Sequence, residues 1–566
     1  MTESSNPITL KLDLSTPAEM ADLFKRCDLE CFTGPENQPD HQENSLLKSA
    51  DLQSKIQKVA NLLKKENSSN PIVIFSGCGT SGRLGYLAKV AFQESNLLPH
   101  CQFEYLIAGG DKALLTSQEA HEDKPLEGLD DLHKILNDKY QNNYSHVIMI
   151  CITCGMSAPY CAGQLEYALN TDKFIPVLIS FNTVENARKI PIPTWNNRTF
   201  SEVALKIDQA QKENQQAFII NPSLGGEHVT GSSRMKGGTT TKAILDAIFL
   251  TAVFEDSKPL DHLQKMYDSI ITYYSNNSEL IAELITKGGQ ALMEDKSIIY
   301  LGQQKEGALG LIDGTECKPT YGATLNDVRG FVQGGFPALN NNEGDISHYG
   351  DEFKIDFQDL EILVKNDTIK PGIVIVHDSP LGSSSSFNMP KNLNFDIQPI
   401  CLKFPFQDIN QNPKTPNDWT KILISQLLYK LTYNCISTGA HVLKGKVMQN
   451  FMIDVSLTNL KLFVRGRELI RRFIPNLDIQ TAVNYLLMSI YGVDQLNDEI
   501  TQITDEQHVS NATKAAVEKG MIVPVAIILA AYREVKRQKD FTIEDARKLL
   551  AGNPRCRQVL VEILQN

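Results

Sequence analysis

The sequence predicts an α/β fold: a mainly parallel sheet domain present in two copies, followed by an all-helical region. Three observations predict it. Short apolar strands alternate with helical stretches, a strand–glycine loop–helix pattern recurs later in the chain, and the residues after about 434 show helical periodicity broken only by prolines. Alternating strands and helices are typical of a parallel sheet with helices on both faces.

The first copy begins after a polar N-terminal stretch. Residues 1–45 are polar and interrupted by Pro35 and Pro39, so we expect them to form an arm. Short apolar runs rich in β-branched residues then follow one another, and each is short enough to be a buried strand. These predicted strands are 72–75, 103–108, 147–153, 175–181 and 217–220.

The second copy is indicated by an ungapped internal alignment. FSGCGTSGRLGYLAKVA (75–91) aligns with YLGQQKEGALGLIDGTE (300–316), and three glycines and one leucine coincide. Further strands are predicted at 298–301, 372–377 and 399–404. Internal self-similarity of this kind predicts a repeated domain, although two unrelated strand–turn–helix units could share glycines by chance. The predicted domains are 1–45, 46–275, 276–433 and 434–566.

Composition limits the classes of function. The net charge of -12 argues against nucleic acid as a main partner, because phosphate backbones require basic surfaces. We expect no secretory leader, and no apolar run reaches the roughly 18–20 residues that span a bilayer. Eleven cysteines without a paired pattern favour reduced thiols in a cytosol. The CxxC pair Cys151 and Cys154 is interpreted as two cysteines at a strand end.

Three segments have the composition of anion-binding loops: 77–83, 153–157 and 231–238. Glycines let the backbone approach an oxyanion closely, and the start of a helix offers unpaired N–H groups. In the first loop, Thr80 and Ser81 add hydroxyl donors. Each loop alone could be a capped turn. Three hydroxyl-rich loops in one α/β domain favour a phosphate monoester site at the carboxyl ends of the strands.

Two glutamates are candidate functional acids. Glu122 follows the strand predicted at 103–108, where an acidic residue could also be a solvated one, and Glu316 lies in an otherwise apolar helix start. A carboxylate in that second setting either caps a helix or faces a ligand. His121 and His228 show no metal-ligand spacing with carboxylates, so we predict no metal and no cofactor.

The motifs resemble those of the glucokinase regulatory protein family in order and spacing over about residues 70–470. The resemblance is carried by GCGTSGR (77–83), AGGDKALL (108–115), GMSAP (155–159), NPSLGGEHVTGSSRMKGG (221–238), DGTECKPTYGATLNDVRGF (313–331) and STGAHVLKGK (437–446). It implies two sugar isomerase (SIS) domains, each with a flavodoxin-like doubly wound fold, and a C-terminal helical lid.

The resemblance also implies a ligand and its site. In that family, fructose 6-phosphate or fructose 1-phosphate binds between the SIS domains and the lid and governs the inhibition of glucokinase. The implied phosphate-binding residues are Gly79, Thr80, Ser81, Thr153, Cys154, Gly155, Ser157, Ser233 and Arg234. The implied sugar contacts are Glu122, Glu316, Asn459, Lys461 and Arg465. Such a protein would be cytoplasmic, and also nuclear in a eukaryote.

Two departures from the family pattern bear on function. Thr153 stands where the family usually has serine, which keeps a hydroxyl. Between residues 404 and 432, where the animal regulators have an apolar stretch that touches glucokinase, that stretch is not recognisable, and FQDINQNPKTPND (406–418) is polar and broken by prolines. A glucokinase or hexokinase partner is therefore an open question at this point.

An enzymatic alternative comes from a related family, the N-acetylmuramic acid 6-phosphate etherases. They share the GTSGRLG and GSSRMKGG motifs and eliminate lactate with two glutamates, one of them in the helix after GTSGR. Here that position is Ala91, which argues against the activity, but the internal alignment places Glu316 at the same point of the second copy. Glu122 and Glu316 would then be the acid–base pair.

Overall fold

The structure is a computed structural model. It describes residues 4–64, 70–141, 143–303, 307–377, 399–402, 406, 413–457, 460–474, 476–553 and 556–565. Among the helices in these ranges, none combines the length and the apolar character needed to cross a bilayer.

The first sheet has five parallel strands in the order β2-β1-β3-β4-β5. This is the flavodoxin-like doubly wound order. The strands are β1 (Ile72–Gly77), β2 (Gln102–Ile107), β3 (Val147–Ile152), β4 (Phe174–Ile179) and β5 (Phe218–Ile220). They lie at the five predicted positions, because strands covered on both faces are continuous apolar runs.

Ten helices belong to the N-terminal region, to the first sheet and to the connection beyond it. They are α1 (Pro17–Thr33), α2 (Pro39–Gln42), α3 (Ala50–Leu62), α4 (Thr80–Ser95), α5 (Lys112–Leu115), α6 (Pro125–Ile135), α7 (Pro159–Leu169), α8 (Phe200–Lys212), α9 (Lys236–Val253) and α10 (Pro259–Met293).

The N-terminal residues differ from the predicted arm. Helix α1 packs against α9 and α10, and its Met20 and Phe24 are fully buried. The Asn6 side chain donates hydrogen bonds to Glu30 Oε2 (3.0 Å) and to the carbonyl of Gly226 (2.9 Å). The stretch is polar in composition, but its few apolar residues recur on one helical face, and that face joins the core.

The second sheet has four parallel strands in the order β7-β6-β8-β9, which repeats the first four positions of the first sheet. The strands are β6 (Ser297–Gln303), β7 (Val328–Gln333), β8 (Pro371–His377) and β9 (Ile400–Leu402), and the helices are α11 (Ala308–Tyr321), α12 (Gly335–Leu339), α13 (Phe357–Lys365) and α14 (Pro416–Leu443). The sequence analysis did not predict β7, because Arg329 and Gly330 interrupt its apolar pattern. Residues 403–404 of the predicted strand 399–404 lie outside the described ranges.

Matched glycine contacts show that the two sheets are copies of one unit. An added Cβ on Gly85 would lie 2.9 Å from Phe75 Cβ, and one on Gly310 would lie 2.6 Å from Tyr300 Cβ. In both copies the helix therefore packs directly on the strand before it. A second matched pair of tight contacts joins Gly82 to Ile107 and Gly307 to Val332. The ungapped alignment thus reflects equivalent packing.

The C-terminal region begins with the long helix α14, which packs against α9, α10 and α11. The domain boundary predicted at 434 lies inside this helix. The β-hairpin of β10 (Val447–Met448) and β11 (Phe451–Met452) follows, and then α15 (Leu460–Phe473), α16 (Ile479–Tyr491), α17 (Asp498–Thr501), α18 (Asp505–Lys519), α19 (Ile522–Ala530), α20 (Ile543–Gly552) and α21 (Cys556–Gln565). After the hairpin, the described residues contain helices and connections only.

Candidate functional site

A cavity of about 120 Å³ lies where the carboxyl ends of the first sheet meet α11 and the C-terminal helices. Parts of the chain far apart in sequence form its wall. The lining residues are Cys78, Gly79, Thr80, Arg83, Ala108, Ala113, Ser117, Gln118, Glu122, Gly231, Ser232, Ser233, Arg234, Glu316, Pro319, Thr320, Met452, Leu462 and Arg465. Seven predicted site residues are among them: Gly79, Thr80, Glu122, Ser233, Arg234, Glu316 and Arg465.

The N-terminus of α4 opens toward this cavity. Its N-cap residue is Gly79, which has φ +52° and no side chain to cap the first turn. That backbone conformation favours glycine, and the missing side chain lets a ligand approach the main chain. An anion at this position would interact with the positive end of the helix dipole and with first-turn N–H groups other than that of Ser81, which donates to the Cys78 carbonyl (3.1 Å).

The N-terminus of α9 is already occupied by an internal carboxylate. Glu227 is buried and accepts hydrogen bonds from the backbone N–H groups of Lys236 (2.7 Å) and Gly237 (3.0 Å). Burial raises the pKa of Glu227. Of the two helices that follow the GTSGR and GSSRMKGG motifs, α4 is therefore the one that can offer its N-terminus to an external anion.

Cys154 brings the three predicted loops together. Its Sγ lies 3.8 Å from Ser81 Oγ and also forms a hydrogen bond with the Ser233 side chain. Burial raises the pKa of this thiol to about 12, so it is neutral at physiological pH. The neighbouring Ser232 Oγ is buried and has no hydrogen-bond partner among the described residues. Sequence reasoning did not select Ser232 as a site residue; its position in a GSS motif was the only available signal.

The rest of the second loop lies at the edge of the site. Thr153 Oγ1 accepts a hydrogen bond from the Ser157 N–H (3.2 Å), which stabilises the turn. Gly155 and Ser157 line a neighbouring groove that shares Met452 with the cavity. These predicted residues are therefore close to the cavity but do not form its wall.

Arg83 connects the first sheet to the second at the site. Its guanidinium forms an ion pair with Glu316 and donates hydrogen bonds to the carbonyls of Ala113 (2.7 Å) and Thr116 (3.0 Å). The side chain is only 2% exposed. Sequence reasoning noted this arginine in the GTSGR motif but did not select it, because its carboxylate partner is far away in the sequence.

Both candidate acids face the same cavity. Glu122 lies just beyond the short 3-10 helix Glu119–His121, and Glu316 projects from α11 of the second sheet. The cavity thus contains one carboxylate from each copy of the repeated domain. A sugar bound here could donate hydroxyl hydrogen bonds to both.

Arg234 differs from its predicted role as a phosphate ligand. Its guanidinium is buried and donates to Asp313 Oδ1 (3.0 Å), to Tyr321 OH (3.1 Å) and to Thr438 Oγ1 (2.8 Å). These partners lie on α11 and α14. The guanidinium of Arg234 therefore connects its own loop to α11 and α14 through internal hydrogen bonds. The residue still lines part of the cavity.

Lys430 of α14 supports the third loop from behind. Its buried Nζ donates to the carbonyls of Arg234 (3.0 Å) and Met235 (3.3 Å) and to Thr239 Oγ1 (3.1 Å). Burial lowers the pKa of this lysine to about 8. Sequence reasoning missed Lys430, although a lysine inside the apolar stretch of a helix was a possible signal.

The lid contributes Arg465, which is half-buried in α15 and lines both the cavity and the neighbouring groove. Asn459 lies outside the described residues, and so does the side chain of Lys461. In the part of the chain that is described, no cluster of three or more His, Cys, Asp or Glu side chains could hold a metal ion.

Family models match three parts of the chain. Residues 54–169 match the N-terminal SIS domain of glucokinase regulatory protein, residues 274–376 its second SIS domain, and residues 449–560 its C-terminal lid domain.

Individual relatives agree with these matches. The glucokinase regulatory protein of Xenopus laevis is 32% identical over 599 aligned positions, covering 99% of this chain and 92% of the relative. The Homo sapiens protein is 32% identical, with 98% and 91% covered. An N-acetylmuramic acid 6-phosphate etherase of Clostridium botulinum is 27% identical over 41% of this chain and 81% of its own length. With two SIS domains, a lid and full-length similarity, the chain belongs to the glucokinase regulatory protein family.

Proposed function

We propose that this chain is a regulatory protein that binds fructose 6-phosphate or fructose 1-phosphate and controls a glucokinase or hexokinase. The observation that carries the proposal is the cavity at the open N-terminus of α4. It combines an uncapped helix start, a buried hydroxyl without a partner and a carboxylate from each SIS domain.

The phosphate would bind at the hydroxyl side of the cavity. Thr80 and the α4 backbone face it from one loop, and Ser232 and Ser233 from another. These donors are neutral, so the helix dipole supplies much of the attraction for a dianion. Arg465 from the lid adds a formal positive charge.

The sugar would lie between the two copies of the domain. Glu122 and Glu316 offer carboxylate oxygens that can accept hydrogen bonds from sugar hydroxyls. Because Arg83 holds Glu316, this acceptor is fixed in position before the ligand arrives. A sugar phosphate would then contact both SIS domains and the lid.

Regulation would follow from that three-way contact. A ligand shifts a conformational equilibrium only by its differential affinity for the two states. A sugar phosphate that contacts Arg465 favours the arrangement in which α15 is close to the SIS domains. The surface that the lid presents to a kinase would then depend on the ligand. The names of the full-length relatives support a kinase partner.

None of the eleven cysteines, all of which lie in the described ranges, forms a disulfide bond, and proteins of a reducing compartment such as the cytoplasm rarely contain disulfides. We therefore place the proposed activity in the cytoplasm, and also in the nucleus if the source is eukaryotic.

Calorimetry with fructose 6-phosphate and fructose 1-phosphate tests the binding site. We expect Thr80→Ala and Ser233→Ala, at two hydroxyls of the cavity wall, each to weaken binding by roughly 10- to 150-fold, because a hydrogen bond to a charged group contributes about 1.5–3 kcal/mol. Ser269→Ala on the exposed face of α10 is the matched control and should bind like the wild type. Unchanged affinity in both site variants would contradict the proposal.

The regulatory part needs a second assay. Glucokinase or hexokinase activity is measured with and without the full chain, and each sugar phosphate is then added. We expect the chain to change kinase activity and the ligand to change that effect. A chain that binds the ligand but never alters either kinase would refute this part alone.

A second candidate is lactate elimination from N-acetylmuramic acid 6-phosphate, and one observation favours it. Glu122 and Glu316 line one cavity, as an acid–base pair must. Against it, the Glu316 carboxylate is held by Arg83, an arrangement that suits a hydrogen-bond acceptor better than a proton donor. We therefore prefer the regulatory function.

A further inference from the structure

Residues 4–14 form the N-terminal segment, which contains two short 3-10 helices and precedes α1. Only three of its residues are buried: Asn6, Thr9 and Leu12. A segment with so little buried apolar surface opens at a lower free-energy cost than the core does. Its attachment to the rest of the protein therefore depends largely on polar contacts.

The polar contacts of the N-terminal segment lead to two different parts of the protein. The Asn6 side chain donates to the carbonyl of Gly226, in the loop between β5 and α9. Asp13 forms an ion pair with Arg557 of α21, with a nitrogen–oxygen distance of 2.6 Å. The segment thus contacts the first SIS domain on one side and the lid on the other.

One side chain of the β10–β11 hairpin binds the segment at three points. Asn450 lies in the two-residue turn of this hairpin and is fully buried. Its Nδ2 donates to the Asn6 carbonyl (2.9 Å) and to Thr9 Oγ1 (2.9 Å). Its Oδ1 accepts a hydrogen bond from Ser5 Oγ (2.8 Å). The segment is therefore bound to the hairpin mainly through this amide.

Asn450 also binds the loop that forms one wall of the sugar-phosphate cavity. Its Oδ1 accepts a second hydrogen bond from Thr230 Oγ1 (3.3 Å), and its carbonyl accepts one from the Thr230 N–H (2.7 Å). Thr230 directly precedes Gly231, Ser232 and Ser233, which line the cavity. The amide of Asn450 thus uses both of its donors and two acceptor positions, so its orientation is fully determined.

The hairpin itself contributes to the opposite side of the cavity. Met452 lies two residues after Asn450 and lines the cavity, and α15, which supplies Arg465, follows the hairpin. Neither Asn450 nor the N-terminal segment is part of the cavity wall as the described residues form it. Any effect of the segment on a ligand must therefore pass through the positions of the hairpin and of residues 231–233.

We propose that Asn450 is a positioning residue of the sugar-phosphate site and that the N-terminal segment controls ligand affinity through it. With the segment bound, Asn450 fixes the hairpin against residues 231–233. Without the segment, Asn450 Nδ2 loses both acceptors, and the two sides of the cavity are free to shift. The proposal rests on the sugar-phosphate function proposed above and adds its regulation. By thermodynamic linkage, a bound ligand must also hold the segment in place.

Hydrogen exchange of the full chain tests this linkage. The Asp13 N–H donates to the Gln449 carbonyl in the hairpin turn (3.2 Å), so its exchange reports the attachment of the segment. We expect saturating fructose 6-phosphate to slow this exchange at least about fivefold, the lower end of usual couplings between two sites. The short helix α17 has no buried residue and should exchange at the same rate with and without ligand. A purely structural role of Asn450 would not make the exchange of Asp13 depend on the ligand.

Variants test the same coupling by calorimetry with fructose 6-phosphate. Asn450→Asp keeps the shape of the side chain but places a carboxylate oxygen against the Asn6 carbonyl, so we expect at least about fivefold weaker binding. Thr9→Val removes one acceptor of Asn450 and should weaken binding by roughly two- to tenfold, the equivalent of one hydrogen bond. Thr9→Ser keeps the hydroxyl and should bind like the wild type. Thr286→Val is the control, because that hydroxyl donates only to Ala282 of its own helix.

The outcomes separate this proposal from the sugar-phosphate function. If Asn450→Asp does not fold, the Thr9 variants and the exchange of Asp13 still decide. Ligand binding that leaves the exchange of Asp13 unchanged, or wild-type affinity of Thr9→Val, would overturn the role of the segment alone. In that case Thr80→Ala and Ser233→Ala would still weaken binding. A wild-type chain that does not bind fructose 6-phosphate would overturn both proposals.

Discussion

The buried pair of Arg234 and Asp313 provides a sharp test of how the two SIS domains are held together. We expect Arg234→Met alone and Asp313→Leu alone each to lower the free energy of unfolding by about 3–5 kcal/mol, because each leaves an uncompensated buried charge. If the losses were additive, the double variant would lose about 6–10 kcal/mol. We expect it to lose no more than either single variant, since both charges are then gone.

The remaining contacts set the size of the loss in the double variant. The Tyr321 hydroxyl already donates to Thr438 Oγ1 (3.0 Å), so these two groups stay paired when the arginine is removed. The side chains of Tyr300, Asn434 and Ser437 lose Asp313 as an acceptor, but they lose it equally in Asp313→Leu alone. The coupling energy between the two positions should therefore be about 3 kcal/mol or more.

Urea denaturation measures these values through the fluorescence of Trp419. This tryptophan is buried at the start of α14, and a Trp195→Phe background removes the other tryptophan of the chain. The control cycle uses Arg26 and Glu36, an exposed pair with a nitrogen–oxygen distance of 2.8 Å. Exposed pairs couple by about 0–1 kcal/mol.

Additive losses at Arg234 and Asp313 would refute the reasoning, because they would mean that the two charges do not compensate each other. A second outcome would also count against it. If Arg234→Met folded with near wild-type stability and lost sugar-phosphate binding, the guanidinium would be a ligand group instead.

Three further predictions concern pH, packing and catalysis. Burial lowers the pKa of Lys430 in the folded chain to about 8, whereas the pKa of a lysine in an unfolded chain is about 10.4, so the unfolded chain binds more protons between these two values. Raising the pH from 8 to 10.5 should therefore increase the free energy of unfolding of the wild type relative to that of Lys430→Met, by up to about 3 kcal/mol in urea titrations. If the stability of both proteins changed equally with pH, this prediction would be wrong. Gly85→Ala and Gly310→Ala should each lower the free energy of unfolding by about 1–3 kcal/mol, because the added methyl group overpacks the contact between helix and strand. Gly552 has open space around it, so Gly552→Ala should not lower stability. Thermal denaturation of the three variants tests this. With N-acetylmuramic acid 6-phosphate as substrate, we expect weak or no lactate release; robust wild-type turnover that Glu316→Gln reduces by about 10²–10⁴-fold would establish an enzyme instead.

The strands and the three loops could be predicted from the sequence because their signals are local. A buried parallel strand is an apolar run, and loops at the carboxyl ends of neighbouring strands must meet at one edge of the sheet. For this reason Thr80 and Ser233 face the cavity at which they were expected. The repeat was visible because equal packing constraints preserve glycines at equal spacing.

The role of each polar residue could not be predicted in the same way, because hydrogen-bond partners distant in sequence leave no local pattern. The sequence indicates an anion site equally at α4 and α9, but Glu227 fills the second helix start. The sequence also places Arg234 in a phosphate-binding motif, but the hydrogen-bond acceptors of this arginine lie on α11 and α14.

The hydrogen bonds between Lys430 and the loop before α9 have a consequence for the order in which the protein is synthesised. The lysine and the first carbonyl it holds are 196 residues apart in the chain. At roughly 5–20 residues per second, a ribosome needs roughly 10–40 s to make the intervening segment. During that time the first SIS domain has emerged with its GSSRMKGG loop, while the lysine that fixes this loop does not yet exist. The backbone of this loop therefore acquires its support from Lys430 only after α14 has been synthesised.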